Sequence, residues 1–194
     1  ALAVARVDHI LDHLRSNQPL SIFVSVGDGN IISGIHKGLR DLQALGWLEQ
    51  MPRIFGVQAE GSAAVARAFL VGTEQIVPVQ ARTLADSISV DLPRDGVRAV
   101  RAASQTGGAY LLVSDTQILD AIATLGKAGI FAEPAGATAL AGLTAAKANG
   151  WLEPESPVLV LNTGSGLKDV RAAMQAVTPA PIIEPTLKAL KRIL

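Results

Sequence analysis

The chain has 194 residues, 49% of them hydrophobic and 18% charged, with 17 basic and 17 acidic side chains, no net charge and no cysteine. That length suits one domain, or one and a fraction, with an ordinary core. Balanced charge without a basic stripe or an aromatic stacking set gives nucleic-acid binding nothing to rest on, the Gly-broken apolar runs are too short for a bilayer, and the lack of cysteine excludes thiol chemistry and fits a reducing, cytoplasmic setting.

Short Val/Ile/Leu runs bounded by Gly or Pro alternate with Ala-rich stretches whose apolar residues recur every three or four positions, the pattern of an α/β fold with a mostly parallel sheet between helical layers. In chain order the pattern predicts helix 1–15, strand 20–26, helix 31–46, strand 53–58, helix 61–69 and a strand at about 75–79. Residues 84–94 have no clear period. Helix 96–105, strand 109–113, helix 115–127, helix 135–148, strand 157–162 and helix 166–175 follow. Ser114 and Asp115 suit a helix cap, Gly150-Trp151 a helix end, and Pro179 to Pro185 an irregular tail before a short amphipathic end from Thr186. The expected organisation is one incomplete domain over 1–176 and a tail over 177–194.

The most informative segment is Val24-Ser-Val-Gly-Asp-Gly-Asn-Ile-Ile-Ser-Gly-Ile-His-Lys-Gly38, where an apolar strand runs through Gly27-Asp28-Gly29-Asn30 into an amphipathic helix. Free N–H groups of such a turn and the positive end of the helix dipole can hold a phosphate without a cation. Glycines let the backbone approach the ligand, Asn30 can cap the helix or donate its amide, and Val26 presents the loop. Asp28 is the awkward member: a carboxylate near a dianion is repulsive by about 1–4 kcal/mol at contact, so its side chain should point away. A Gly- and Asn-rich βα turn can equally be only a turn.

Two later segments, Phe131-Ala-Glu-Pro-Ala-Gly-Ala137 and Asn162-Thr-Gly-Ser-Gly-Leu-Lys-Asp169, together with Gly56-Val-Gln-Ala-Glu-Gly61 and Ala85-Asp-Ser-Ile88, give the chain a likeness to pyridoxal-phosphate (PLP) enzymes of the tryptophan-synthase-β fold type, and within them it resembles the threonine synthase family over roughly residues 1–175. Glu-Pro-Ala-Gly occurs across that fold type; the glycine loop paired with Thr-Gly-x-Gly-Leu-Lys-Asp is far more particular. The resemblance implies the three-layer αβα large domain of that fold, PLP as cofactor, and a parent activity converting O-phospho-L-homoserine and water to L-threonine and phosphate. Val26, Gly27, Asp28, Gly29 and Asn30 would seat the cofactor phosphate, and the Thr163 hydroxyl would meet the pyridine nitrogen; Ser165 is a weaker candidate for that neighbourhood. Asp28 departs from the uncharged residue many members carry, and the loop is one residue shorter.

Members of the family are longer, and their cofactor-bearing Schiff-base lysine lies in an amino-terminal half with a Ser-x-Lys setting that no segment here matches. The six lysines (Lys37, Lys127, Lys147, Lys168, Lys188 and Lys191) read as solvated, so no catalytic residue is assigned and the expected partner is that half, with homo-oligomers also open. The chain begins inside a helix without an initiating Met, as a carboxy-terminal portion would. Threonine or serine dehydratase, cysteate synthase and a non-catalytic binding module are the alternatives.

Other candidates have ordinary readings beside them. Glu133, at a helix start, can face the cofactor or pair structurally, and Asp86 and Ser87 lie near the family's substrate opening. His9 and His13 are four apart on a helix, but with Asp12 the only other donor near that face, and His36 elsewhere, no metal site is expected. Trp47 and Trp151 suit rim or core packing, and Ser25 and Ser33 sit in no nucleophile pattern.

Overall fold

The computed structural model describes residues 10, 12, 14, 20–153 and 155–193. The β-branched and aromatic runs form four strands, β1 (Ser21–Ser25), β2 (Arg53–Ala59), β3 (Tyr110–Val113) and β4 (Val158–Val160). They lie in the order β3-β2-β1-β4, all parallel, with Phe23 opposite both Phe55 and Val160 and Val57 opposite Leu111. Between and after them come α1 (Asn30–Ala44), α2 (Ala64–Leu70), α3 (Gly96–Ser104), α4 (Asp115–Lys127), α5 (Pro134–Ala148), α6 (Val170–Gln175) and α7 (Leu187–Leu190), with 3-10 turns at Asp86–Ile88 and Gly166–Lys168.

Side-chain alternation along the strands divides the core in two. Phe23, Phe55, Val57, Leu111 and Val113 face one way and pack with Ile118 and Ile122 of α4 and the alanines of α5. Ile22, Val24, Ile54 and Tyr110 face the other way, against Ile32 and Leu39 of α1, Val65 of α2 and Ala99 of α3. The result is the expected three-layer αβα arrangement. Phe23 and Phe55 stack at 4.7 Å between centroids, fixing β1 against β2 on the α5 side. Helix α5 is buried along most of its length, and its small residues let it lie close on the sheet.

Several local expectations change. No strand forms at 75–79: Val77 is exposed, Pro78 has no N–H to give a ladder, and the Val79 and Ala81 amides bond to the Asp91 carbonyl and carboxylate instead. The single helix expected at 166–175 is broken at Asp169, whose extended backbone ends the 3-10 turn and whose carboxylate caps α6 at Ala172 N. The expected start at 61 moves to Ala64. Trp47 is largely exposed and so is no core residue. Ser114 forms the expected cap, a full capping box with Gln117. The tail contributes the four-residue α7, capped by Thr186. Of the expected helix 1–15, Ile10, Asp12 and Leu14 are helical; the rest, including His9 and His13, lies outside the described residues. Among the described residues no helix is long and apolar enough to cross a membrane, and no cluster of His, Cys, Asp or Glu could hold a metal ion.

Among the described residues, strand β4 is only half-buried and forms a sheet edge beside an apolar groove of about 590 Å³ lined by Ile10, Leu14, Ile22, Leu42, Leu159 and Leu161. Apolar area left in water costs roughly 25 cal/mol per Å², and an unpaired edge invites pairing. The chain on its own is therefore expected to self-associate. Sedimentation over a concentration series checks this; a monodisperse, cooperatively melting monomer would contradict it.

Candidate functional site

Parallel strands bring the segments that follow β1 and β4 to the same edge of the sheet, where α/β folds gather ligands. A cavity of about 270 Å³ lies there, lined by Ser25, Gly27 to Ile32, Ser87, Ile88, Glu133, Ala135, Thr163 and Lys168. The glycine loop, the 3-10 turn before α3, the start of α5 and the turn after β4 thus meet around one space. A second cavity of about 380 Å³ adjoins it, sharing Ser87, Glu133, Ala135 and Lys168 and adding Asp86, Pro134 and Asp169.

The loop is held by Gln58 from β2 and by its own Asp28. Gln58, fully buried in β2, donates to the Val26 carbonyl at 3.1 Å and accepts from Ala66 N at 2.8 Å, fixing the end of β1 against α2. The Asp28 carbonyl accepts from Asp95 N at 2.9 Å and its carboxylate accepts from Arg94 N at 3.1 Å. That carboxylate is thereby turned onto the start of α3, the orientation expected from its repulsion of an anion. Gly29, not Asn30, is the N-cap of α1, with φ 93° and no side-chain cap. Asn30 is the first helical residue and exposed, so the cap expected from it is absent because the left-handed backbone at Gly29 already turns the chain. With no side-chain cap and the first intrahelical bond running from Ser33 N to the Gly29 carbonyl, the N–H groups of the first turn are left for a ligand.

Across the cavity, the turn after β4 is interlocked with the start of α5. Glu133 N donates to the Gly164 carbonyl at 3.0 Å, Gly166 N to the Phe131 carbonyl at 2.9 Å, and Ala132 and Ser165 form an isolated antiparallel bridge. The Glu133 side chain is 7% exposed and its Oε1 accepts from Lys168 Nζ at 3.0 Å. Thr163, exposed and lining the cavity, is fixed in place by this interlock.

The structure brings together Gly27, Asp28, Gly29, Asn30 and Thr163 as lining residues, with Val26 buried just beneath the loop. Ser165 is not among the lining residues; its hydroxyl accepts from Leu167 N. Lys168, read with the other lysines as solvated, is exposed, and its amine also donates to the buried Glu133 carboxylate at the cavity. Ser87, read from the sequence with Asp86 as near the family's substrate opening, lines this cavity and Asp86 the adjoining one; Gln58 was not singled out for its role, and Ser25 is a further lining residue, its buried hydroxyl without a hydrogen-bond partner among the described residues. A polar residue at the end of a strand, one apolar residue before a glycine loop, was the available signal for Ser25. His36 lies on the buried side of α1, where burial and then the Arg40 guanidinium hold its pKa below the ordinary value; it does not line the cavity.

A sequence profile described as pyridoxal-phosphate dependent enzyme matches residues 7–164. A threonine synthase from Methanocaldococcus jannaschii is 34% identical over 187 residues, covering 95% of this chain and 46% of that protein. One from Mycobacterium tuberculosis (strain H37Rv) is 35% identical over 161 residues, covering 81% of this chain and 43% of that protein. The chain spans about half the length of the curated relatives it matches. Among solved structures, a fungal L-serine ammonia-lyase from Rhizomucor miehei superimposes with TM-score 0.65 at 22% identity, over 82% of this chain and 49% of that one. The processed form of threonine deaminase isoform 2 from Solanum lycopersicum gives 0.64 at 20%, over 89% and 48%. At those identities the two structures establish a shared fold.

Proposed function

Because the chain belongs to the pyridoxal-phosphate dependent enzyme family, we propose that it is the cofactor-seating, carboxy-terminal portion of a threonine synthase-like enzyme that converts O-phospho-L-homoserine and water to L-threonine and phosphate. The observation that carries this reading is the meeting of the uncapped start of α1 and the Thr163 turn on one cavity at the carboxyl edge of the sheet. The threonine synthase names among relatives at 30–35% identity favour it over a dehydratase.

The residues present fit the group. The N–H groups of the loop and of the first turn of α1, aided by the helix dipole, would hold its phosphate; the Thr163 hydroxyl would hydrogen-bond its ring nitrogen. The unpartnered Ser25 hydroxyl and the lining of Ala135 leave a seat with both a polar and an apolar side. When bound, pyridoxal phosphate supplies an electron sink for negative charge formed on the substrate carbon skeleton. A neutral threonine hydroxyl at the ring nitrogen tempers that sink, because it brings no permanent charge. The cofactor-bearing lysine and the substrate-phosphate contacts are assigned to the amino-terminal half of the enzyme, which is the partner of this chain in catalysis.

Inorganic phosphate titrated into the full chain should shift the amide NMR signals of Gly27 to Ile32 first. Uniform or absent shifts across the chain would count against the loop. With the amino-terminal half supplied, Thr163→Val should leave folding intact but weaken cofactor binding and turnover, at a cost of about 1–3 kcal/mol for the unpaired ring nitrogen. Cofactor titration monitored by absorbance checks this, and wild-type affinity in the valine variant removes Thr163 from the site.

A further inference from the structure

Among the described residues lining the loop cavity, the charged ones are Asp28, Glu133 and Lys168. Asp28 has its carboxylate on Arg94 N. Glu133 is the buried charge facing the space from α5: its side chain is 7% exposed, and its Oε1 lies so close to Gly164 that a methyl there would sit 1.8 Å away. Its counter-charge is Lys168, whose amine is 3.0 Å from Oε1 while its side chain is 60% exposed. The adjoining cavity adds Asp86 and Asp169, the latter accepting from Ala172 N at 3.0 Å. The lining of the two spaces together therefore carries more negative than positive charge, an unexpected property for a seat that takes a phosphate.

We propose that Lys168 admits a phosphate-bearing ligand by cancelling the charge of buried Glu133, and that it is not an anchor for the phosphate. The inference deepens the cofactor-site reading and rests on it. Lys168 comes from the 3-10 turn after β4 and its amine donates to Glu133, whereas the free N–H groups come from the loop after β1. Glu133 in turn lies against Gly164, where the lack of a side chain leaves room for its carboxylate, and its backbone N–H donates to the Gly164 carbonyl beside Thr163. Paired, the two groups form a near-neutral wall; unpaired, a buried carboxylate would face a dianion in a medium that screens poorly.

The test titrates inorganic phosphate into the full chain and reads the Gly27 to Ile32 amides in wild type, Glu133→Gln, Lys168→Met and the double variant. Lys168→Met should weaken phosphate by about tenfold, and Glu133→Gln, which keeps an oxygen for Lys168 but drops the charge, should tighten it by several-fold, roughly three to ten. The double variant should return to within about twofold of wild type, because the cancelled charge is gone. If Lys168→Met does not fold, Glu133→Gln and the double variant carry the test, since neither buries an unpaired carboxylate. A double variant weakened as much as the expected tenfold loss makes Lys168 an anchor and overturns the inference, as does a Glu133→Gln chain with wild-type affinity. Loop amides that respond in none of the chains sink the cofactor-site reading along with it.

Discussion

Gly29→Ala is expected to abolish phosphate binding at the loop and to destabilise the chain by about 2–4 kcal/mol. Gly29 holds φ 93°, a region in which a side chain costs about 1–2 kcal/mol. An added methyl would also lie 2.9 Å from the Asp95 carbonyl oxygen and 2.9 Å from Ala99 Cβ. The obstructing oxygen is backbone, so no rotamer change relieves it. The start of α3 is tied to the loop by the bond from Asp95 N to the Asp28 carbonyl, so pushing the two apart breaks the hold on Asp28 as well and turns a carboxylate loose beside the ligand. Phosphate titration by NMR and a thermal melt check both halves; a variant with wild-type stability and loop response would show that the turn tolerates a side chain and that its geometry is not what binds.

Gly164→Ala should cost about 2–4 kcal/mol and displace Thr163. The new methyl would meet Glu133 Oε1 at 1.8 Å. Glu133 is buried and paired with Lys168, so escape leaves a carboxylate or an amine unpaired, and the alternative is for the turn to move and lose the Glu133 N to Gly164 carbonyl bond. Adding Glu133→Ala to Gly164→Ala makes room and should recover part of the loss, a positive coupling expected only for residues in contact. Chemical denaturation of the four chains measures it; strictly additive losses would mean that this contact does not set the cost.

The glycine loop was legible because its signals are local: an apolar strand, small residues and an amphipathic helix stand within one stretch, 20–46, and the chain folds there nearly as the period says. Ser114 could be read as a cap for the same reason, since a capping box lies within four residues. Strand 75–79 misled because alternation reports only that a segment could pair; whether an edge is there to receive it depends on distant strands, and here Asp91 takes the Val79 amide and that of Ala81 just beyond.

Sequence by itself determined the α/β class and the parallel sheet implied by βα alternation, and its resemblance pointed to the loop and Thr163, which line one cavity in the structure. Tertiary structure alone decided how that site is built. Lys168 and Glu133 are 35 positions apart, Asp28 and Arg94 are 66 apart, and Gln58 reaches Val26 across 32. No periodicity carries such pairings. They arise because the parallel sheet and the helices packed on it bring the turn after β4 to the start of α5, the loop after β1 to the start of α3, and the end of β1 beside β2, where burial makes an unpartnered polar group costly.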